Sequence, residues 1–482
     1  MTTRPLVVGV DSSTQSTTIE ARDLQTGAVI ATGTARHPAT TPPVSEQDPR
    51  SWWDALIDAV TQLGDHRRDV VAISVAGQQH GMVLVDGDGL PVRPAKLWND
   101  TTSSPQADRL VEEFGAREWA QATGSVPVAA FTITKLAWMA EHEPDSLDRT
   151  ALVMLPHDYL TWRLTGEHVT DRGDASGTGW FDPVGGGTRH DLITAATGRE
   201  WTGRLPRVLQ PTEAAGTITP EAAAALGLGN GVVVACGTGD NMGAALGLGL
   251  RTGDVAISLG TSGTAFVVSE QPVHDPSGHV AGFASASGDY LPLVCTLNAT
   301  KVTETVARLI GSELPGLADI ALGAVDDPGT VTLVPYLDGE RTPNAPDAHG
   351  TLLGITNATT PQQLALAAHD GVLCGLLGGL DVIRGLGPTA DGRCFLIGGG
   401  ARSAAYRQRA ADLTGRDVTI SSIDEVVSAG AAVQAAAVVS DASLDEVMSR
   451  WGLGTGTTIS PARDASAVLE RYRELTSDSV GI

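Results

Sequence analysis

Lysine is almost absent from this chain. Only Lys96, Lys135 and Lys301 occur among 482 residues, and none stands in the GxxxxGK[ST] spacing, so a Walker-type phosphate loop is excluded. Any phosphate bound here must be met by backbone amides, hydroxyls, arginine or a divalent cation. The formal net charge is −24, which argues against nucleic acid or an anionic membrane as a partner. No basic segment or helix-turn-helix pattern offsets that charge. Long apolar runs are also missing: no stretch of eighteen consecutive apolar residues occurs, so no membrane span is expected. The first residues pass straight into a short strand without a signal-peptide pattern. Cysteine is scarce, and Cys236, Cys295, Cys374 and Cys394 show no CxxC pair and no histidine at metal spacing. Buried free thiols and a cytoplasmic location are therefore expected. A low-complexity linker is absent as well, so the chain is expected to form closely packed halves with a cleft between them.

What the chain does contain is a duplicated plan. Its length exceeds what one ordinary core serves, so at least two domains are expected. Leu6 to Val10 reads as a strand ending at Asp11, then a hydroxyl-rich turn through Thr18, then a second strand with a glycine turn at Gly27. Val255 to Val267 repeats that plan about half a chain later, which is an internal duplication. Two such turns point amides and hydroxyls at one phosphate chain from opposite sides; Ser13, Thr14 and Gln15 form one candidate cradle, and Gly260, Thr261 and Ser262 the other. As single copies both would read as ordinary hairpins. Asp11, at a strand end, is the acidic residue expected to hold a divalent cation. Gly399 and Gly400, after the strand Cys394–Ile397, form a third turn suited to a nucleotide base or ribose, or simply to a sharp strand-to-helix turn.

Between these lie helical signals. Asp48-Pro49 caps and opens a helix carrying Trp52 and Trp53. Residues 101–165 read as mostly helical, and 173–187 as loops. Thr360-Pro361 opens a helix whose Ala367, Gly371, Gly375 and Gly378 are expected to form a close-packing face. Leu469, Tyr472 and Leu475 mark a final amphipathic helix.

The stretch Val232 to Asn241 reads as a buried strand that turns through Gly237 and Gly239 and presents Asp240, where open α/β sheets place ligands. On that stretch alone Asp240 reads equally as the N-cap of a helix starting at Met242. Gln78-Gln79-His80 at a strand end offers hydrogen-bonding groups for a polyol. Trp98, beside Asn99 and Asp100, is either a sugar-pocket wall or core.

The ordered motifs Asp11-Ser12-Ser13-Thr14, Gly77 to Gly81, Leu97 to Asp100, Gly239-Asp240-Asn241, Ser258 to Gly263, Gly339 to Pro343 and Gly398 to Ser403 resemble those of the FGGY carbohydrate kinases over about residues 5–440. Ser45 to Pro49 with Trp52-Trp53 is similar to the branch that makes D-xylulose 5-phosphate. The resemblance implies an α/β fold of two actin-like (ribonuclease H-like) ATPase domains with an interdomain catalytic cleft, divided here as 1–245 and 246–482. It implies ATP and Mg2+ as cofactors and a ketopentose as substrate. By matching position, Asp240 is the general base and Asp11 the metal-associated aspartate, and both are catalytic. Gln79 and His80 contact the sugar, with Trp98 and Asn241 beside them, and Gly260, Thr261, Gly399 and Gly400 bind nucleotide. Closure is expected about Gly243–Gly253. Methionine often precedes the histidine in that branch, whereas Gln79 stands here, so ribulose, L-xylulose and glycerol stay open as substrates. A non-catalytic sugar- or nucleotide-binding regulator and a filament-forming ATPase are the readings from other classes, and a homodimer is an open assembly state.

Overall fold

The structure, a computed structural model, describes residues 4–480. Apolar residues of Leu6–Ser12 are buried on both faces, so this strand is central. It pairs antiparallel with Ser16–Asp23 and parallel with Val70–Gly77. The first sheet runs 29–36, 16–23, 6–12, 70–77, 233–235, 214–217, with 238–239 continuing the pairing on 70–77. The second runs 290–296, 263–267, 255–259, 394–397, 418–421, 456–459, with 281–284 added outside 290–296. Neighbouring strands in both sheets pair antiparallel, antiparallel, parallel, parallel, antiparallel. The duplication read from two hairpins therefore extends through six strands of each half.

Two helices cross between the sheets. Asp240–Gly247 follows the strands of the first half, and Val426–Ser440 follows the corresponding strand of the second. Ala244, Ala245, Leu246, Ala432 and Val433 share one core with Val7 and Ala72 of the first sheet and Ala256, Phe266 and Phe395 of the second. The helix Val426–Ser440 lies directly on the first sheet. A Cβ at Gly9 would overlap the Ser428 carbonyl, Ser428 Oγ donates to Thr18 O at 3.1 Å, and Gln434 Nε2 donates to Gly237 O at 3.1 Å. The C-terminal half of the chain thus completes the N-terminal sheet, and a division at 245/246 falls inside the first crossing helix.

Residues 101–165 are largely helical as expected. The expected loop at 173–187 overlaps a short helix, Arg172–Ala175, capped by Asp171. The four cysteines are free and buried. The helix Pro361–Gly385 is opened by a Thr360–Gln363 capping box. It is long and apolar enough to cross a membrane, yet 78% of its apolar window is buried inside the protein. Gln362, Gln363, His369, Asp370 and Asp381 break the run in sequence, while Leu373, Leu376, Leu377 and Leu380 fill the second half's core.

Its close-packing face also differs from expectation. A Cβ at Gly371 would overlap the Leu333 carbonyl, whereas one at Gly378 meets nothing within 4 Å and one at Gly375 meets only Tyr472 Oη, at 3.4 Å. Gly378→Ala is therefore expected to be neutral or to stabilise by up to about 1 kcal/mol through helix propensity. Gly371→Ala should lower the denaturation midpoint; equal midpoints for the two variants would refute this packing.

Candidate active site at the crossing helices

Asp240 is placed by a turn that only glycine permits. Gly237 has φ 78°, and a Cβ there would sit 2.7 Å from Val75 O and 2.8 Å from His157 Nδ1. The helix that follows begins at Asp240 with Gly239 as N-cap, so Asp240 is not the N-cap of a helix starting at Met242. Its Oδ1 accepts from Asn241 N at 2.8 Å and from Asn241 Nδ2 at 3.0 Å. Burial pushes the Asp240 carboxyl up to about 7, and the Asp174 carboxylate adds to that. A helix N-terminus favours an anion, but here desolvation wins.

Asp11 lies near it. Its Oδ1 is buried without a hydrogen-bond partner, and the group is held well above the usual carboxylate range by burial, then by Asp240 and Glu425. Glu425 immediately precedes the second crossing helix, much as Asp240 opens the first. The sequence reading missed Glu425, although the duplicated plan was a signal that could have found it.

Gln79, His80, Trp98 and Asn241 gather on the first-half side. Gln79 Oε1 accepts from Asn241 Nδ2 at 2.7 Å, and Gln79 Nε2 donates to Met242 Sδ at 3.2 Å. Asn241 Oδ1 accepts from Thr264 Oγ1 at 3.4 Å, so this amide touches both halves. The His80 ring lies 5.3 Å from Phe131 and 5.2 Å from Phe283. Burial, then the charges of Lys135 and Arg341, hold His80 well below its ordinary pKa, so its imidazole is neutral. Trp98 is half-buried, and its Nε1 donates to Thr14 Oγ1 at 3.0 Å, while Thr14 Oγ1 donates to Gln78 Oε1 at 3.1 Å. The Thr14 hydroxyl is thus spent on bracing the neighbouring turn. Ser13 Oγ donates to Ser16 O, and Gln15 is exposed.

The second-half turns sit at the equivalent strand ends. Gly260 O and Thr261 O accept from Thr300 N and Ala299 N at 3.0 and 3.2 Å, which docks the turn on the start of the helix Thr300–Leu309. Ser262 is half-buried and Thr261 exposed. Gly398, with φ 83°, lets the third turn approach Leu259 O, a Cβ there lying 2.7 Å away. Gly400 is packed against Leu259, whereas a Cβ at Gly399 meets open space. Gly399 occupies in the second half the place that Gln79 and His80 occupy in the first. Between the halves, a shallow opening is lined by Ser125, Phe131, His279, Cys295 and Arg341, among others.

The lysines are all engaged. Lys96 Nζ lies 3.1 Å from Glu46 and 3.3 Å from Asp100. Lys135 Nζ donates to Ala129 O and Ala130 O at 2.7 and 2.6 Å, and burial pulls it down to about 7. Lys301 pairs with Asp338 at 3.5 Å.

Sequence reasoning missed a buried cluster beneath Asp240. His157 Nε2 lies 3.2 Å from Asp158, 3.3 Å from Asp171 and 3.7 Å from Asp174. Burial lowers the His157 pKa, but the three carboxylates outweigh it and hold the group at about 9. Asp171 accepts from Gly173 N and Asp174 N at 2.8 and 3.0 Å, and from Thr238 Oγ1 at 2.8 Å. The Asp-x-x-Asp spacing of a helix start was the available signal.

Two copies of one sheet plan, joined by two crossing helices, with the carboxyls of Asp11 and Asp240 close together where the first strand ends and the first crossing helix begins, define a phosphotransferase of the actin-like ATPase class acting on the alcohol group of a sugar. The chain belongs to the FGGY family of carbohydrate kinases: the family's N-terminal domain matches residues 6–247 and its C-terminal domain residues 255–439. Similar proteins include a xylulose kinase of Streptomyces coelicolor, 48% identical over 98% of this chain and 96% of that protein. A xylulose kinase of Escherichia coli is 37% identical over 86% of each chain. The crystal structure of xylulose kinase from Bifidobacterium adolescentis superposes with a TM-score of 0.88 at 40% identity, covering 98% of this chain and 99% of that one.

Proposed function

We propose that this kinase transfers the γ-phosphoryl group of ATP to D-xylulose, giving D-xylulose 5-phosphate, with Asp240 as general base. One observation carries the base assignment: a carboxyl at the start of the first crossing helix whose pKa desolvation pushes up to about 7, where a general base works best at neutral pH. With Oδ1 committed to Asn241, Oδ2 is the oxygen that takes the sugar hydroxyl proton. In a loose phosphoryl-transfer transition state that proton leaves late, so Asp240 also aligns the attacking oxygen. Gln79, His80, Trp98 and Asn241 face the sugar from residues 1–245. Because the Thr14 hydroxyl is engaged by Trp98 and Gln78, the turn Ser13-Thr14-Gln15 meets the nucleotide through its backbone amides, and the turns Gly260–Ser262 and Gly399–Gly400 hold it on the side of residues 246–482. Closure over the cleft excludes water and limits wasteful hydrolysis. D-xylulose as the acceptor is supported by relatives named xylulose kinase at 48% and 37% identity. Four buried free thiols fit work in the cytoplasm.

Mg2+ is part of this reading, and Asp11 fits it: a hard oxygen donor whose Oδ1 is buried and without a hydrogen-bond partner. No group of three or more His, Cys, Asp or Glu among the described residues could hold a metal, which suits an ion bound by one carboxylate and the substrate phosphates. When bound, Mg2+ neutralises charge on the phosphate oxygens. A coupled ADP-release assay across D-xylulose, D-ribulose, L-xylulose and glycerol tests the substrate. The highest kcat/KM is expected with D-xylulose; turnover of another member with none of D-xylulose would overturn the assignment.

A further inference from the structure

His80 and Asp441 are the only non-glycine residues with positive φ among those described, and His80 has φ 61°. Such a backbone costs on the order of 1–3 kcal/mol and persists only where the surroundings over-determine it. Here they do. His80 N donates to Asp174 Oδ1 at 3.2 Å, and His80 O accepts from Thr132 Oγ1 at 3.1 Å. Phe131 and Phe283 flank the ring. Gly177 lies against it, since a Cβ there would overlap Nδ1 and Cε1.

His80 Nδ1 is buried without a hydrogen-bond partner and lies 3.2 Å from the same Asp174 Oδ1. Asp174 is itself fully buried, and its Oδ2 is likewise without a hydrogen-bond partner; burial pushes its carboxyl up to about 7, a rise that His157 opposes and Asp171 adds to. Behind it stands His157, whose imidazolium also faces Asp158 and Asp171, while Asp240 is the remaining charge that Asp174 influences. A neutral imidazole has one donor and one acceptor nitrogen, and the partner of one fixes the role of the other.

We propose that Asp174 is the positioning residue for His80: it holds the left-handed backbone and draws the ring proton to Nδ1, which leaves Nε2 as an acceptor for a sugar hydroxyl, with the His157 side chain as the cation beside it. The assignment rests on His80 being a sugar contact, and it adds a demand on the substrate. The hydroxyl at that position must donate, so the site rejects a group that can only accept. An unpaired Asp174 would be costly among Asp158, Asp171 and Asp240, and one imidazolium relieves that cost for three of these carboxylates together.

The test has two arms. In sugar-free wild-type enzyme labelled with 15N-histidine, the His80 resonances should show a protonated Nδ1 and an unprotonated Nε2. An Nε2–H tautomer or a doubly protonated ring would overturn the proposal. In Asp174→Asn, which keeps an acceptor for the His80 amide, KM for the ketopentose should rise about 10- to 100-fold, with a smaller change in kcat and none in KM for ATP. His157→Gln should shift KM in the same direction, by less. An unchanged sugar KM with a lowered melting temperature would show a merely structural role and overturn the proposal. The wild-type spectrum decides even where a variant fails to fold. Should the wild type phosphorylate no ketopentose, the substrate reading falls, while the tautomer still reports on Asp174.

Discussion

Asp240→Asn is expected to lower kcat about 10²- to 10⁴-fold, the contribution of a positioned general base, while leaving ATP affinity unchanged. The amide keeps the volume and the contact to Asn241 but takes no proton. The same substitution should raise the melting temperature. Because the folded-state pKa is raised from the ordinary carboxylate range to about 7 by burial and by Asp174, ionising Asp240 costs more in the folded protein than in the unfolded chain. That penalty is absent below about pH 4, grows between about pH 4 and 7, and is complete above about pH 7. Asp240→Asn should therefore melt several degrees higher than wild type at pH 8, with the gap closing as pH falls toward 4. In the wild type, kcat/KM should fall as pH drops below about 7, where Asp240 takes up its proton. Ordinary turnover by the variant would remove Asp240 from the chemistry; a lower melting temperature at pH 8 would show that its charge is compensated after all.

Gly430→Ala is expected to damage both stability and turnover, although residue 430 is remote in sequence from Asp240. A Cβ at Gly430 would overlap the Gly243 carbonyl and come within 2.9 Å of Gly247 N, while one at Gly247 would overlap the Val426 carbonyl. These are backbone atoms in two packed helices, so no side chain can swing aside, and overpacking of this kind costs about 1–3 kcal/mol or more. The displaced helix is the one that begins at Asp240, and a shift of about 1 Å at a reacting group costs roughly 100-fold in rate. A lowered melting temperature together with a fall in kcat is the expected pair. Wild-type kcat in the folded variant would show that the base is insulated from the crossing, and an unchanged melting temperature would show that the helices have room to part.

Much of this was legible because it is local. Asp11 with its hydroxyl turn, and Ser258 to Gly263 with its own, lie within single hairpins whose residue types dictate their shape. The cap at Asp48-Pro49 and the box at Thr360–Gln363 depend on neighbours a few residues apart. The duplication was visible in two strands, and the other four of each half follow the same order without sharing a sequence pattern. What stayed hidden depends on distant partners. Val426–Ser440 is almost uniformly apolar and small, so nothing in its periodicity tells which sheet it covers; that is settled by Gly9, Gly243 and Gly247, far away in the chain. His157, Asp171 and Asp174 come from two separate segments, and a glycine-rich stretch concealed the turn of helix that joins the latter pair. Thr14 read as a phosphate ligand because its hydroxyl type suits that role, but the hydroxyl itself accepts from Trp98, 84 positions on, which leaves the backbone of that turn for the role.

The scarcity of lysine has a practical side once the three are seen in place. Lys96 and Lys135 are buried, at 1% and 0% exposure, and Lys135 is enclosed by backbone carbonyls even though its lowered pKa would make a free amine highly reactive. Lys301 alone keeps a substantial share of its side chain, 28%, open to solvent. Apart from the chain's amino terminus, an amine-directed reagent has one side chain to find on the folded protein. That side chain follows Thr300, whose amide docks the Gly260 turn, so a reporter or surface tether attached there sits beside one lip of the cleft without any engineered cysteine.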